Sequence, residues 1–376
     1  MKKIHAILYI IVFSILISLP ILQQLSGCFQ ELSLVENRAL VKFPKRPGSI
    51  KMDSLQQWLS KYECYLNDHF GFRNHLIKGH ALFHYFILAD APSKKVLKGK
   101  NNWWFLNNKE DGNNLDLYFG KTLFDSIQLN KIKQNILTLK KELASREIPL
   151  IIVMAPNKQS IYSECMPSIL QTKRSNYSKA DQINEIFSMA KVHYLDLREV
   201  LLAAKSKSPY PLYLKSDTHW NDLGAFYAYE SIMEAVKVYF PKIPIQSLSD
   251  YQLNINKTPA EGDLAIMQHL NGYGQDSSIT LKPLYTINYH QVADSFGDSG
   301  FIVQQKDSLS QLPRLLQWRD SFSKALVPFL SNSFAESTYL WRRLPDLNII
   351  DQQKPDIVII EFVERYSDLW LEVLYN

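Results

Sequence analysis

Residues 149–155, Pro-Leu-Ile-Ile-Val-Met-Ala, form a short, unbroken apolar run that is rich in β-branched side chains. A run of this length and composition is typical of a strand that is buried on both faces of a parallel sheet. Residues 125–145 precede it with apolar side chains at helical spacing, so the two segments together indicate a helix followed by a strand. This stretch therefore predicts an α/β fold in which helices cover a buried sheet.

The alternation of helix and strand continues along the chain. We predict helices near 178–191, 223–239 and 323–333, and strands at 193–197, 312–318 and 356–360. Such alternation indicates a parallel sheet with helices on both faces. Residues 241–310 break the pattern because they are richer in Ser, Gln, Asn and Gly, and we expect loops or a small β insertion there.

The N-terminus has the pattern of a membrane-targeting segment. Lys2 and Lys3 precede an apolar run, residues 6–22, that is longer than the hydrophobic part of a typical cleaved signal. The positive-inside rule keeps the lysines in the cytoplasm and puts the rest of the chain outside it. We expect residues 1–28 to be the membrane anchor or signal segment, 29–50 a linker and 51–376 one extracytoplasmic domain. A lipoprotein is the alternative, since residues 25–28 resemble a lipobox that ends at Cys28.

Composition excludes several classes of function. The net charge of +5 is spread over 42 basic and 37 acidic residues without a basic block, so we do not expect nucleic acid as a partner. Cys64 and Cys165 are able to form one disulfide or to remain as two thiols. His80 and His84 are four residues apart on a predicted helix, but the histidines do not show the spacing of a typical metal site. We therefore expect neither a metal nor a cofactor.

Residues 213–224 carry the strongest chemical signal. Asp217 and His219 lie two residues apart, directly before a helix that Asn221 or Asp222 can cap. A carboxylate so close in sequence is able to fold back onto Nδ1 of the imidazole, which fixes the tautomer and leaves Nε2 as a base. A surface loop with ordinary polar residues is the alternative interpretation.

Ser321 is the predicted nucleophile for this pair. It follows the predicted strand 312–318 and precedes a predicted helix, where backbone N–H groups stabilise an oxyanion. Ser295 lies in the same Asp-Ser-Phe tripeptide and competes for the role, but no apolar strand precedes it. A plain helix N-cap is the alternative role for Ser321.

Seven short segments, distributed in order over most of the chain, together carry a family resemblance. They are 36–40 (ENRAL), 67–73 (NDHFGFR), 154–158 (MAPNK), 217–221 (DTHWN), 262–265 (GDLA), 319–322 (RDSF) and 363–366 (VERY). Together they resemble the SGNH-hydrolase-like O-acetyltransferases of the alginate-acetylation type, AlgJ and AlgX among them. The resemblance implies a permuted SGNH hydrolase-like sheet within residues 51–376 and a triad of Ser321, His219 and Asp217.

The same resemblance implies a function. The chain is expected to be an extracytoplasmic O-acetyltransferase that moves acetyl groups onto a cell-surface or secreted polysaccharide through an acetyl-serine. A membrane-bound O-acyltransferase is the implied partner that supplies the acetyl group. Candidates for contact with the substrate or the oxyanion are Asn157, Lys158, Arg319 and Arg365. Two alternatives remain open: a carbohydrate O-acetylesterase with the same triad, and a non-catalytic subunit that binds polysaccharide during assembly.

Overall fold

The structure, a computed structural model, describes residues 2–26, 40–47, 51–292, 296, 299–306, 311–342 and 344–372. Cys28, Ser295 and residues 29–39 of the expected linker lie outside these ranges. The chain divides into two compact units, Met1–Ser93 with Ala265–Asn271 and Lys94–Leu264 with Gly272–Asn376. The domain limits expected at residues 28 and 50 stay predictions.

The first unit is helical. It contains α1 (Lys2–Ser26), α2 (Met52–Asp68), α3 (Arg73–Phe83) and a π-helix, His84–Leu88. By length and composition, Ile4–Gln23 could cross a membrane, and a signal sequence would have the same properties. The His80 and His84 rings lie 4.3 Å apart, and among the described residues they belong to no group of three potential metal ligands.

The second unit is built on β-strands. In chain order they are β1 (Val96–Lys98), β2 (Trp104–Leu106), β3 (Leu150–Ala155), β4 (His193–Asp196), β5 (Tyr251–Pro259), β6 (Gln275–Pro283), β7 (Tyr289–Val292), β8 (Gly300–Gln305), β9 (Arg314–Trp318), β10 (Glu336–Leu340) and β11 (Ile357–Val363). Seven of them form the central sheet in the order β4-β3-β11-β9-β10-β8-β7. The other four form two antiparallel pairs, β1 with β2 and β5 with β6.

Helices cover both faces of the central sheet. The α-helices that follow α3 are α4 (Asn114–Tyr118), α5 (Ser126–Ala144), α6 (Lys158–Ile161), α7 (Ser168–Gln171), α8 (Lys179–Met189), α9 (Leu197–Lys207), α10 (Asp222–Lys237), α11 (Asp263–Met267), α12 (Val327–Leu330) and α13 (Leu347–Gln353). Strand β3 shows the layering, because successive side chains of a strand point to opposite faces. Ile151 and Val153 share a core with α9 and α10, whereas Ile152 and Met154 share another with α5 and α8. The predicted α/β fold is confirmed.

The sheet differs from the prediction at one edge. The five strands from β4 to β10 are parallel, as expected. Strand β8 runs antiparallel to β10, and β7 runs antiparallel to β8, so the whole sheet is mixed. These two strands come from residues 241–310, which therefore extend the central sheet in addition to forming the β5–β6 pair. Strand β10 was not predicted, because Ser337 and Thr338 are buried in it and interrupt its apolar pattern.

The predicted helix 323–333 is wrong. The chain instead forms a 3-10 turn, Phe322–Ala325, and then the four-residue helix α12. Pro328 accounts for the break, because proline has no N–H to continue the preceding turn but is tolerated in the first turn of a new helix. The nucleophile candidate is therefore followed by two short turns.

Three of the candidate site residues directly follow the carboxyl ends of parallel strands. Strand β3 ends two residues before Asn157, β9 ends three residues before Ser321, and β11 ends two residues before Arg365. These ends meet at one edge of the sheet, where α/β folds bind their ligands.

Candidate active site

Three predicted residues lie in hydrogen-bonding contact. His219 Nε2 lies 2.8 Å from Ser321 Oγ, and His219 Nδ1 lies 2.6 Å from Asp217 Oδ1. Because an ionised carboxylate only accepts, Nδ1 carries the proton and Nε2 accepts from the serine hydroxyl. The hydroxyl therefore faces a base whose orientation is fixed by its near neighbour in sequence.

Burial and charge act in opposite directions on this pair. Burial alone would raise the pKa of Asp217, but the hydrogen bonds and charge of His219 hold it well below its usual range. Burial alone would lower the pKa of His219, but the bond to Asp217 and its negative charge raise it. The pair is thus arranged to stabilise an imidazolium, as a general base requires when it takes a proton.

Lys158 holds the turn that carries Asp217. Its ammonium donates to the backbone oxygens of Leu214, Lys215 and Asp217, at 3.0, 3.1 and 2.5 Å. Burial lowers the pKa of Lys158 to about 8, although the nearby carboxylates Asp263 and Asp217 oppose this shift. With its donors directed at backbone oxygens, Lys158 supports the turn.

A second acidic residue, Asp263, completes the surroundings of the pair. Its N–H donates to Asp217 Oδ2 at 3.1 Å, and its carboxylate accepts from Thr218 N at 2.7 Å and from the Thr218 hydroxyl. Gly262 permits this approach, because a Cβ at that position would lie 2.6 Å from Asp217 Cβ and against the Ser216 carbonyl. Burial, and then the charge of Asp217, raises the pKa of Asp263.

The nucleophile turn is held by Asp320. Its carboxylate accepts from Phe322 N at 2.8 Å and from Val363 N at 2.7 Å, which joins the turn after β9 to the end of β11. Among the described residues, the Ser321 N–H has no acceptor. It is therefore available to an oxyanion that forms on a group bound to Ser321.

Ser321 and His219 line a cavity of about 650 Å³. Aromatic side chains form much of its wall: Trp220, Tyr251, Tyr285, Tyr289, Phe322, Phe329 and Trp341. Asp222 and Lys324 contribute charge, and Asn332 contributes an amide. A large, mostly apolar cavity with a few polar groups beside a nucleophile is the usual form of an active site.

The four residues predicted to contact the substrate or the oxyanion line two different cavities. Arg319 lines a smaller cavity that Ser321 also lines. Asn157, Lys158 and Arg365 line a third cavity of about 10 Å³, to which neither Ser321 nor His219 contributes. Asn157 N donates to Glu364 Oε2 at 2.9 Å, and Arg365 Nε donates to Asp111 Oδ1 at 3.4 Å. Direct roles of these three residues toward a substrate stay predictions.

Asp217, His219 and Asp263 also have the side-chain types of a metal site. The potential ligand atoms of Asp217, His219 and Asp263 lie within 4.8 Å of one another. Both ring nitrogens of His219 are already engaged, by Asp217 and Ser321. An ion could bind His219 only by replacing one of these contacts, so the geometry fits a nucleophile and base better than a metal centre.

The fold and the site define an SGNH hydrolase-like protein. A sequence model of the family described as SGNH hydrolase-like domain, acetyltransferase AlgX, matches residues 96–318. The chain belongs to this family. The matched span contains Asp217 and His219 and ends three residues before Ser321.

Two solved structures with TM-scores just above 0.5 share this fold. PatB1 from Bacillus cereus has a TM-score of 0.52 at 16% identity, with 74% of this chain and 99% of that chain covered. A DHHW family protein from Eubacterium siraeum has a TM-score of 0.51 at 18% identity, covering 73% and 95%. The O-acetyltransferase domain of AlgJ from Pseudomonas putida has a TM-score of 0.46 at 19% identity, covering 73% and 92%. No curated protein sequence matches the chain significantly.

Proposed function

We propose that this protein transfers acetyl groups onto hydroxyls of a cell-surface or secreted polysaccharide through an acetyl-Ser321 intermediate. The observation that carries the proposal is the continuous contact from Asp217 through His219 to Ser321, with distances of 2.6 and 2.8 Å. Membership of the AlgX acetyltransferase family supports acetyl transfer as the reaction.

The first half of the reaction loads the serine. His219 Nε2 takes the hydroxyl proton as Ser321 Oγ bonds to the acetyl carbonyl carbon, and Asp217 stabilises the resulting imidazolium. The bond between that carbon and the donor oxygen then breaks, and His219 gives the proton to the departing oxygen. The Ser321 N–H stabilises the negative oxygen of the intermediate.

The second half passes the acetyl group to a sugar. A sugar hydroxyl in the 650 Å³ cavity gives its proton to Nε2 and bonds to the acetyl carbon. Ser321 Oγ leaves as the bond to the acetyl carbon breaks, and it recovers the proton from His219. The aromatic rings in the wall suit an acceptor with flat, apolar faces, as sugar rings have.

The location is also a proposal. The apolar helix Ile4–Gln23 supports a membrane-anchored protein whose domain faces the extracytoplasmic side, where a membrane-bound O-acyltransferase would supply acetyl groups. A C-terminal fusion to an enzyme that is active only outside the cytoplasm tests the orientation. An active fusion supports it, and an inactive but stable fusion contradicts it.

Product analysis tests the reaction. The full chain in detergent micelles is incubated with an acetyl ester and a panel of oligosaccharides, and the sugars are weighed by mass spectrometry. Acetylated sugar that is absent with Ser321→Ala supports transfer. Free acetate alone supports an esterase, and no reaction with any ester supports a binding subunit.

A further inference from the structure

The large cavity beside Ser321 is lined by a carboxylate that has an oxygen to spare. Asp222, the first residue of α10, lines the cavity and is half-buried. Its Oδ2 accepts from Leu281 N at 3.1 Å. Its Oδ1 keeps accessible surface and has no hydrogen-bond partner among the described residues. Burial raises the pKa of Asp222, because its charged form is partly removed from water. A hydroxyl group that enters the cavity can donate to Oδ1 and replace some of this lost hydration.

Asn332 supplies a second oxygen of this kind to the same cavity. Its Nδ2 donates to Pro328 O at 2.8 Å and to the Tyr285 hydroxyl at 2.9 Å. A backbone oxygen only accepts, so the contact with Pro328 fixes which end of the amide is the nitrogen. The Tyr285 hydroxyl lies 2.6 Å from that of Tyr251, which donates to Gln246 Oε1. The remaining amide oxygen, Asn332 Oδ1, keeps accessible surface and has no partner in the part of the chain that the structure describes.

We propose that Asp222 and Asn332 form an acceptor subsite, which binds a neutral sugar through its hydroxyl groups and discriminates against uronic acids. This inference rests on the proposed acetyl transfer, because it concerns the sugar that reacts with acetyl-Ser321. Each hydroxyl of a sugar is a donor for one of the two open oxygens. The carboxylate of a uronic acid only accepts, and its charge has the same sign as that of Asp222.

The charges of the cavity wall favour a neutral sugar. Apart from Asp217 and His219, the charged residues that line it are Asp222 and Lys324, among those that the structure describes. Lys324 is exposed, so water and salt screen its ammonium. The half-buried carboxylate of Asp222 is screened less and has the greater influence on a bound sugar. A uronic acid in this cavity is therefore repelled by Asp222 more than it is attracted by Lys324.

Competition between sugar and water for acetyl-Ser321 tests the subsite. The full chain in detergent micelles is given p-nitrophenyl acetate with cellotetraose, maltotetraose or tetragalacturonate, and acetylated sugar and free acetate are quantified. We expect the ratio of acetylated sugar to acetate to be at least about 10-fold higher with the better neutral sugar than with tetragalacturonate. Asp222→Asn keeps an accepting oxygen and removes the charge, so it should reduce this preference by about 5-fold or more.

The matched control is Glu234→Gln, which removes the same charge from an exposed position of α10 that does not line the cavity. This variant should leave the preference for neutral sugars unchanged. Asn332→Ala removes the second oxygen and should lower the ratio of acetylated neutral sugar to acetate by about 5-fold or more. It carries the test if circular dichroism shows that Asp222→Asn does not fold.

Three results would overturn the subsite. They are equal use of tetragalacturonate and the neutral sugars by the wild-type protein, a preference in Asp222→Asn equal to that in Glu234→Gln, and an acetyl-Ser321 that passes only to water. Failure of p-nitrophenyl acetate to acylate Ser321 is a separate outcome, because it refutes the proposed function itself, and the subsite falls with it.

Discussion

The indole Nε1 of Trp220 donates to the backbone oxygen of Phe322 at 3.0 Å. Trp220 follows His219 in sequence and Phe322 follows Ser321, so this bond joins the turn of the base to the turn of the nucleophile. The Phe322 ring also lies against the His219 ring, with 4.7 Å between centroids. The separation of base and hydroxyl is therefore set by a contact between their neighbours.

Removing the indole donor should make the distance between His219 Nε2 and Ser321 Oγ longer and more variable. Trp220→Phe keeps the apolar ring and leaves a buried backbone oxygen without its partner, so we expect kcat/KM on an acetyl ester to fall about 10-fold or more. Trp58→Phe is the matched control, because the Trp58 indole has no hydrogen-bond partner among the described residues. Equal losses in the two variants would show that the bond does not position the site.

The pH dependence should reflect the raised pKa of His219. The base acts only when it is neutral, so activity should rise with pH through a midpoint above the ordinary histidine value of about 6.5. In Asp217→Asn, His219 stays buried but loses the negative charge that raises its pKa, so the midpoint of the activity curve should move to lower pH. We also expect kcat to fall by about 10²–10⁴-fold. Initial rates over a pH series measure both effects. A midpoint that does not move in the variant would refute the role of Asp217.

Gly262→Ala should disturb Asp217 specifically. The new methyl group would lie 2.6 Å from Asp217 Cβ, so the loop of Asp263 must move away and the hydrogen bond to Asp217 Oδ2 is lost. We expect kcat/KM to fall by about 10-fold or more. Gly79→Ala in α3 is the control, because a Cβ there meets nothing within 4 Å. Full activity in Gly262→Ala would contradict this account of the loop.

Lys158→Met should lower stability. The change removes the ammonium from three backbone oxygens, of which Lys215 O keeps the Trp104 N–H at 3.0 Å, and we expect a loss of about 1–3 kcal/mol in the free energy of unfolding. For a unit of this size, that corresponds to a fall in Tm of roughly 2–12 °C. Lys257→Met, on the exposed face of β5, is the control. A Tm that falls no further than in the control would show that Lys158 does not hold the turn.

The sequence predicted those parts of the site that depend on local spacing. Asp217 and His219 lie two residues apart, so their contact needed little knowledge of the fold. Asn221 caps α10 through Gly224 N, one of the two caps expected. Ser321 was placed by the strand before it, because the carboxyl end of a parallel strand is where such folds expose reactive groups.

Other features depend on tertiary contacts that spacing does not encode. Asp263 reaches Asp217 across 46 residues of chain, and Gly262 in the GDLA segment was its only local signal. Lys158 was expected to meet the substrate, yet its donors turn inward to backbone oxygens. The edge strands β7 and β8 lie in a polar segment without a clear period, so the pairing of β8 with β10 and of β7 with β8 was not predictable.

Trapping the covalent intermediate tests directly whether Ser321 carries the acetyl group. The full chain is mixed with an acetyl ester, quenched in acid and digested, and the peptides are weighed. We predict an added acetyl group on the peptide that contains Ser321, retained in Ser295→Ala and absent in Ser321→Ala. Acetyl transfer that persists in Ser321→Ala, or an acetyl group on another residue of the wild-type protein, would show that Ser321 is not the nucleophile.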